Sequence, residues 1–326
     1  VCVNRFARTL TLDFGLYYDV TGTPPEALPY LALLPSVFTD LGCRNDQGDW
    51  LAYDRLQQRL QEEGRSVRTQ YSTTPCEGGF RVELAAYATG LGVAEGRRAL
   101  TWAVRLLQSA AALDSAALPR LRDVVEREIA SLRQRPQGAE ESWADNPADA
   151  YRFQRDWVYL SAASLFTRIH HLERIRWRLL EPPPDMEIAA LANHLNDFLE
   201  TWDGARAGLW EELARMADPA SGLPAITATL TDYLRTELEH APDETLRDDL
   251  LLLYGQALDD LMVAPTKVLA DLRAMVGGLL EQGLSRAHVT GSYAQVDSVR
   301  PALDVAVARL ADFAEFDPAY LGWGPN

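Results

Sequence analysis

The run His170-His171-Leu172-Glu173-Arg174 is the stretch whose residue types and spacing come nearest to a metal-dependent active site. An inverted zincin motif needs H-x-x-E-H on a helix. Its two imidazoles, four residues apart, share a face and hold Zn²⁺, while the glutamate activates water. Here His170 and Glu173 stand at the first and fourth positions, but Arg174 occupies the fifth. A guanidinium only donates hydrogen bonds and repels a cation. His171 points about 100° away around the helix and cannot replace the missing imidazole. His170 and Glu173 are therefore weak candidate metal ligands, and the pattern predicts a helical ion-pair network around them. His194, His240 and His288 are isolated in sequence. The paired carboxylates Asp259-Asp260, Asp248-Asp249 and Glu211-Glu212 are expected on solvated helix faces, because neighbouring helical residues diverge and form no acid/base dyad. There is no G-x-G-x-x-G and no Walker A sequence, so the residues assign no catalytic group and no cofactor.

Composition narrows the classes further. The 326 residues carry a net charge of -16, which argues against nucleic acid as a partner, because phosphates demand a basic footprint. Such a charge suits solubility or a long-range preference for basic, unfolded peptides. Cys2, Cys43 and Cys76 have no C-x-x-C spacing and are too scattered for a disulfide framework, so reduced, packed thiols are expected. Charge interrupts every apolar run before about 18 residues, and no signal peptide is visible, so neither a membrane partner nor a secreted location is expected. A cytoplasmic location follows as the expectation. The chain does not begin with Met, which suggests a piece cut from something longer.

The elements that must position any site read as follows. Leu10, Leu12, Phe14 and Leu16 alternate with polar or small residues, predicting a strand over residues 8–20. Leu28, Leu31, Leu34, Val37, Phe38 and Leu41 recur at helical spacing up to Gly42, a C-cap position. A helix is predicted over 49–64. Strands follow over 66–73 and 80–88, joined by a hairpin connection at 74–79. Two amphipathic helices then span 94–113 and 115–135. A polar linker over 136–147 leads to a region, 148–282, that reads as helix throughout. Five tryptophans fall in the linker and this helical half: Trp143, Trp157, Trp177, Trp202 and Trp210, with core packing as the default. A short strand near 288–291 and a helix over 299–313 close the pattern, before a loop over 317–326. The fold class is α+β: a mixed or antiparallel sheet of about four strands packed on helices, with a long all-helical insertion. The domain organisation is a sheet-and-helix core over 1–135, a helical region over 148–282, and a closing strand-helix over 283–326 that returns to the core.

The segments Leu12-Asp13-Phe14-Gly15-Leu16-Tyr17-Tyr18-Asp19-Val20-Thr21-Gly22, Pro25-Glu26-Ala27-Leu28-Pro29-Tyr30-Leu31 and Thr39-Asp40-Leu41-Gly42 resemble the start of the third domain of presequence-protease-type enzymes, a branch of the pitrilysin-like zinc metallopeptidases. His288-Val289-Thr290-Gly291-Ser292-Tyr293 and the helix after it are similar to the closing strand-helix of that domain. The resemblance covers 8–135 and 286–313 and is thin over 148–282. It implies four related α/β domains in two halves that enclose a chamber, with zinc held in the first domain. This chain would then be a non-catalytic wall segment, partnered by the remaining domains of the parent peptidase and by unfolded peptides. The parent activity would be zinc-dependent endopeptidase action on unfolded peptides. Two alternatives stand beside it: a variant zinc peptidase using His170 and Glu173, and a helical peptide- or protein-binding module with a Trp-lined groove.

Overall fold

A computed structural model of the chain describes residues 1–45, 49–62, 66–76 and 79–312. The expected hairpin turn at Glu77-Gly78 and the loop over 317–326 lie outside the described residues. The chain divides into two compact units, Val1–Glu173 with Leu269–Asn326, and Arg174–Val268. Both boundaries fall inside the expected helical region 148–282.

The first unit begins with β1 (Cys2–Phe6) and β2 (Thr11–Asp19). Two short helices, α1 (Leu28–Leu31) and α2 (Leu34–Thr39), replace the single helix expected over 28–41. Pro29 and Pro35 each occupy a first-turn position, where a missing N–H costs nothing, so each starts a helix of its own. A two-residue pair follows, β3 (Cys43–Arg44) and β4 (Trp50–Leu51), then α3 (Tyr53–Glu62). Next come β5 (Ser66–Cys76), β6 (Gly79–Leu91), α4 (Gly92–Ala110) and α5 (Leu118–Gln134). The expected linker over 136–147 already contains the start of α6 (Asp145–Arg152). After it, α7 (Trp157–Ala163) is capped by Asp156, whose carboxylate accepts from Tyr159 N at 2.9 Å. Ser164 is extended, which separates α7 from α8 (Leu165–Arg178).

In the second unit α9 (Asp185–Thr201), α10 (Arg206–Ala217), α11 (Thr227–Leu238) and α12 (Leu246–Leu261) enclose a core built on Leu191, Leu213, Leu230, Leu234 and Leu250, all at most 1% exposed. Gly204, with φ of 88°, turns the chain between α9 and α10 where the sequence pattern breaks. Trp177 and Trp202 are buried in this core rather than lining a groove, whereas Trp157, in the first unit, is exposed. Returning to the first unit, α13 (Pro265–Gln282) leads into β7 (Arg286–Ser292) and α14 (Tyr293–Asp312).

The sheet has five strands in the order β1-β7-β2-β6-β5, with β1 parallel to β7 and the other pairs antiparallel. The class is therefore mixed α+β with helix dominant, as the sequence pattern implies. Segments 66–73, 80–88 and 288–291 join β2 in one sheet. Among the described residues, 148–282 holds no strand. The added strand is β1, whose residues are mostly exposed and so lack an apolar signature. Leu10 is 81% exposed and precedes β2 rather than joining Leu12 in the core. No described helix is long and apolar enough to cross a membrane.

Candidate functional site: the outer face of the sheet

Period two sends successive side chains of each strand to opposite faces. Leu12, Phe14 and Leu16 of β2, Val82 and Leu84 of β6, and Val289 of β7 are wholly buried on one face. The helices reach the sheet from that side. Gly96 of α4 lies so close to Leu12 that a Cβ there would meet Leu12 Cδ2 at 2.5 Å. A Cβ on Gly291, which also abuts Leu12, would sit 3.4 Å from Val296 of α14. Tyr71 of β5 donates to Leu31 O of α1 at 2.7 Å, and Phe80 stacks on Tyr159 of α7 at 4.1 Å. None of these contacts reaches the other face.

Strand register builds that outer face. Gly15 is flanked by His288 and Tyr87, Tyr17 by Arg286 and Ala85, and Tyr87 by Arg68 on its far side. The result is a ladder across four strands. The Arg286 guanidinium lies 3.9 Å from the Tyr17 ring centre. Tyr17 OH donates to Tyr87 OH at 3.2 Å, with the rings edge to face at 5.9 Å. Arg68 sits over the Tyr87 ring at 5.0 Å. His288 tilts against both rings, 5.6 Å from Tyr17 and 6.2 Å from Tyr87. It can do so because Gly15 has no side chain: a Cβ there would meet His288 Cε1 at 2.3 Å. Tyr87 and His288 are half-buried, while Arg68, Gln70 and Arg286 are exposed.

The electrostatics are held by a buried carboxylate. Glu83 accepts from Arg286 Nε at 2.9 Å, Arg286 Nη2 at 2.8 Å and Arg81 Nη2 at 3.1 Å, and Ser285 Oγ lies 2.6 Å away. Asp13 accepts from Thr89 Oγ1 at 2.7 Å. Arg68, Arg81 and Arg286 thus face Asp13, Asp19 and Glu83, so the strand positions of this face are charge-balanced although the chain carries -16. Burial, then the Tyr87 hydrogen bond, raises the Tyr17 phenol above its ordinary range, so it remains a donor at neutral pH. Burial and the Arg286 charge lower His288, with Asp13 opposing, so its imidazole is neutral there. Such a surface offers the partly exposed Tyr87 ring, an imidazole and guanidinium donors to a ligand. That is binding chemistry: it supplies stacking and hydrogen bonds, as interface cores rich in Tyr and Arg do.

The residues nearest to a metal motif have other commitments. Glu173 is 1% exposed and accepts from Arg133 Nη2 at 2.9 Å. His171 Nε2 lies 3.0 Å from Ser161 Oγ, and the His170 and His171 rings stand 5.9 Å apart. Arg174 forms a bidentate pair with Asp260, at 2.9 and 3.0 Å, and Arg178 joins the same carboxylate at 2.7 Å. Asp260 is therefore buried in an ion-pair network, not on the solvated face expected for Asp259-Asp260. Glu212 departs in the same way. At 2% exposure it pairs with Arg215 and lies 2.6 Å from His194 Nε2, beside a water-sized hollow lined by Leu195, Phe198 and Tyr254. Burial and Arg215 lower His194, with Asp197 opposing, so the neutral imidazole donates to Glu212. Among the described residues, no three His, Cys, Asp or Glu side chains come together as a metal site.

The outer-face ladder escapes sequence reading because its members are far apart in the chain. The available signal was Tyr17 and Tyr87, large aromatic residues at the parity opposite Leu16 and Ala86. No family model matches the chain, and no curated protein matches it. Among solved structures it is similar to the crystal structure of a conserved protein from Enterococcus faecalis V583. The identity is 10% over 89% of this chain and 95% of that one, with a TM-score of 0.35.

Proposed function

We propose that this chain is a non-catalytic polypeptide-binding segment whose outer sheet face contacts extended, unfolded peptides. The reading rests on one observation. The helices described against the sheet reach it from one side, and the other side carries the half-buried Tyr87 and His288, seated on the buried Tyr17, between two guanidinium groups. Ring faces and planar donors at this density suit recognition of a chain passing over them. The resemblance to the third domain of presequence-protease-type enzymes fits the same role, with zinc and hydrolysis residing in another domain of a cytoplasmic parent. Nucleic acid and membrane are not partners in this reading.

A short unstructured peptide carrying a photoreactive group tests it. Crosslinks should map to Gln70, Tyr87 and His288, the peptide should remain uncut, and Tyr87→Ala should weaken capture. Crosslinks confined to α9–α12, or equal capture by Tyr87→Ala, would exclude the outer face.

A further inference from the structure

The ladder is electrically lopsided. At its β7 end Arg286 is bound to Glu83, which Arg81 also engages. At its β5 end Arg68 rests over Tyr87, and among the described residues no carboxylate pairs with it. Its donors lie in the plane of the guanidinium, so stacking on a ring leaves them available. The Tyr87 ring below is itself fixed by the Tyr17 hydrogen bond at 3.2 Å, which pre-orients the cation. Beside Arg68 on the same face stands Gln70, also exposed, and β5 is an edge of the sheet, so an approaching chain can reach both.

We propose that Arg68 is a carboxylate anchor of the peptide face. An acidic side chain or a C-terminal carboxylate of an extended peptide pairs with its guanidinium while the chain lies against Tyr87 and Gln70. This inference rests on the peptide-binding reading and adds a specificity that the chain's net charge alone would not suggest: local recognition of a negative group on an overall negative protein. A planar fork matches a carboxylate bidentately, whereas lysine presents a point charge.

The test uses the full chain and one fluorescent, unstructured peptide in three forms. The first has glutamates and an amidated C-terminus, the second has no acidic residue and a free C-terminus, and the third has neither carboxylate. Binding is followed by anisotropy at about 0.15 M salt, where screening to about 8 Å limits long-range repulsion. At least one carboxylate form should bind wild type about tenfold more tightly than the third form, and which one gains identifies the source. Within Arg68→Gln the three forms should bind with equal affinity, whatever the variant does to their common baseline, while Arg68→Lys should keep part of the carboxylate advantage. Far-UV circular dichroism of both variants checks the fold. A carboxylate preference that persists in Arg68→Gln, or no preference in wild type, overturns the anchor and leaves the peptide face standing. Failure of all three forms to bind overturns both.

Discussion

Gly15→Ala tests the construction of the outer face at its tightest point. The added Cβ would lie 2.3 Å from His288 Cε1, 2.6 Å from His288 Nδ1 and 2.8 Å from Tyr17 Cε2. Gly15 is not among the glycines with positive φ, so the backbone itself accepts alanine. In a strand that exchange returns about 0.5–1 kcal/mol of chain entropy. Against it stands the cost of forcing the imidazole off its seat between Tyr17 and Tyr87, about 1–3 kcal/mol by analogy with overpacked cores. The net expectation is a destabilisation of about 1 kcal/mol or slightly more. Removing the imidazole removes most of the conflict, because two of the three close contacts are to His288. In a His288→Ala background, Gly15→Ala should therefore be close to neutral, giving a coupling of about 1 kcal/mol between the two positions. Urea unfolding of the four proteins, read from midpoints at constant m, measures it. Additive effects, with Gly15→Ala costing the same in both backgrounds, would refute the packing argument.

Acid sensitivity is the second expectation. His288 and His194 both have lowered pKa values, so the unfolded chain binds their protons more readily than the native one. Their contribution is complete above about pH 6.5 and is lost as the pH falls below it. His288→Asn and His194→Asn should each flatten the pH dependence of the urea midpoint between about pH 7 and 5, and an unchanged slope in both would dismiss the assignment. The third expectation concerns metal. With Glu173 committed to Arg133 and an arginine at position 174, equilibrium dialysis should recover no stoichiometric zinc. Tight one-to-one zinc, accompanied by peptidase activity lost in His170→Ala, would reverse that conclusion.

The sheet was legible where one face is apolar. β2, β5, β6 and β7 each carry apolar side chains at one parity, and the period announces both the strand and the side that meets the helices. β1 was not legible, because Cys-Val-Asn-Arg-Phe has no apolar parity and acquires its strand conformation only by pairing with β7, Cys2 opposite His288. Helix existence was legible and helix continuity was not. Apolar spacing runs through 28–41 and 148–180 unbroken, yet Pro35, Asp156 and Ser164 each restart or end a helix through backbone or capping chemistry that periodicity does not see.

The same limit explains the sites. Spacing within a helix tells which side chains share a face, but not what meets that face. Glu173 looked like a water-activating carboxylate because of its distance from His170; what it does is set by Arg133, 40 residues away. Arg174 looked like a defect in a metal motif, and its partner Asp260 is 86 positions distant. Conversely, Tyr17 and Tyr87 are 70 residues apart, and nothing local marks them as partners. Strand parity does carry one usable clue. On a sheet with a single apolar face, the opposite parity of an exposed strand should be short and polar; β2 and β6 instead place tyrosines there, and β7 a histidine. Tyr17 is buried beneath Arg286 and its neighbours, but Tyr87 and His288 are only half-buried, and the area they leave in contact with water is what an arriving peptide would cover.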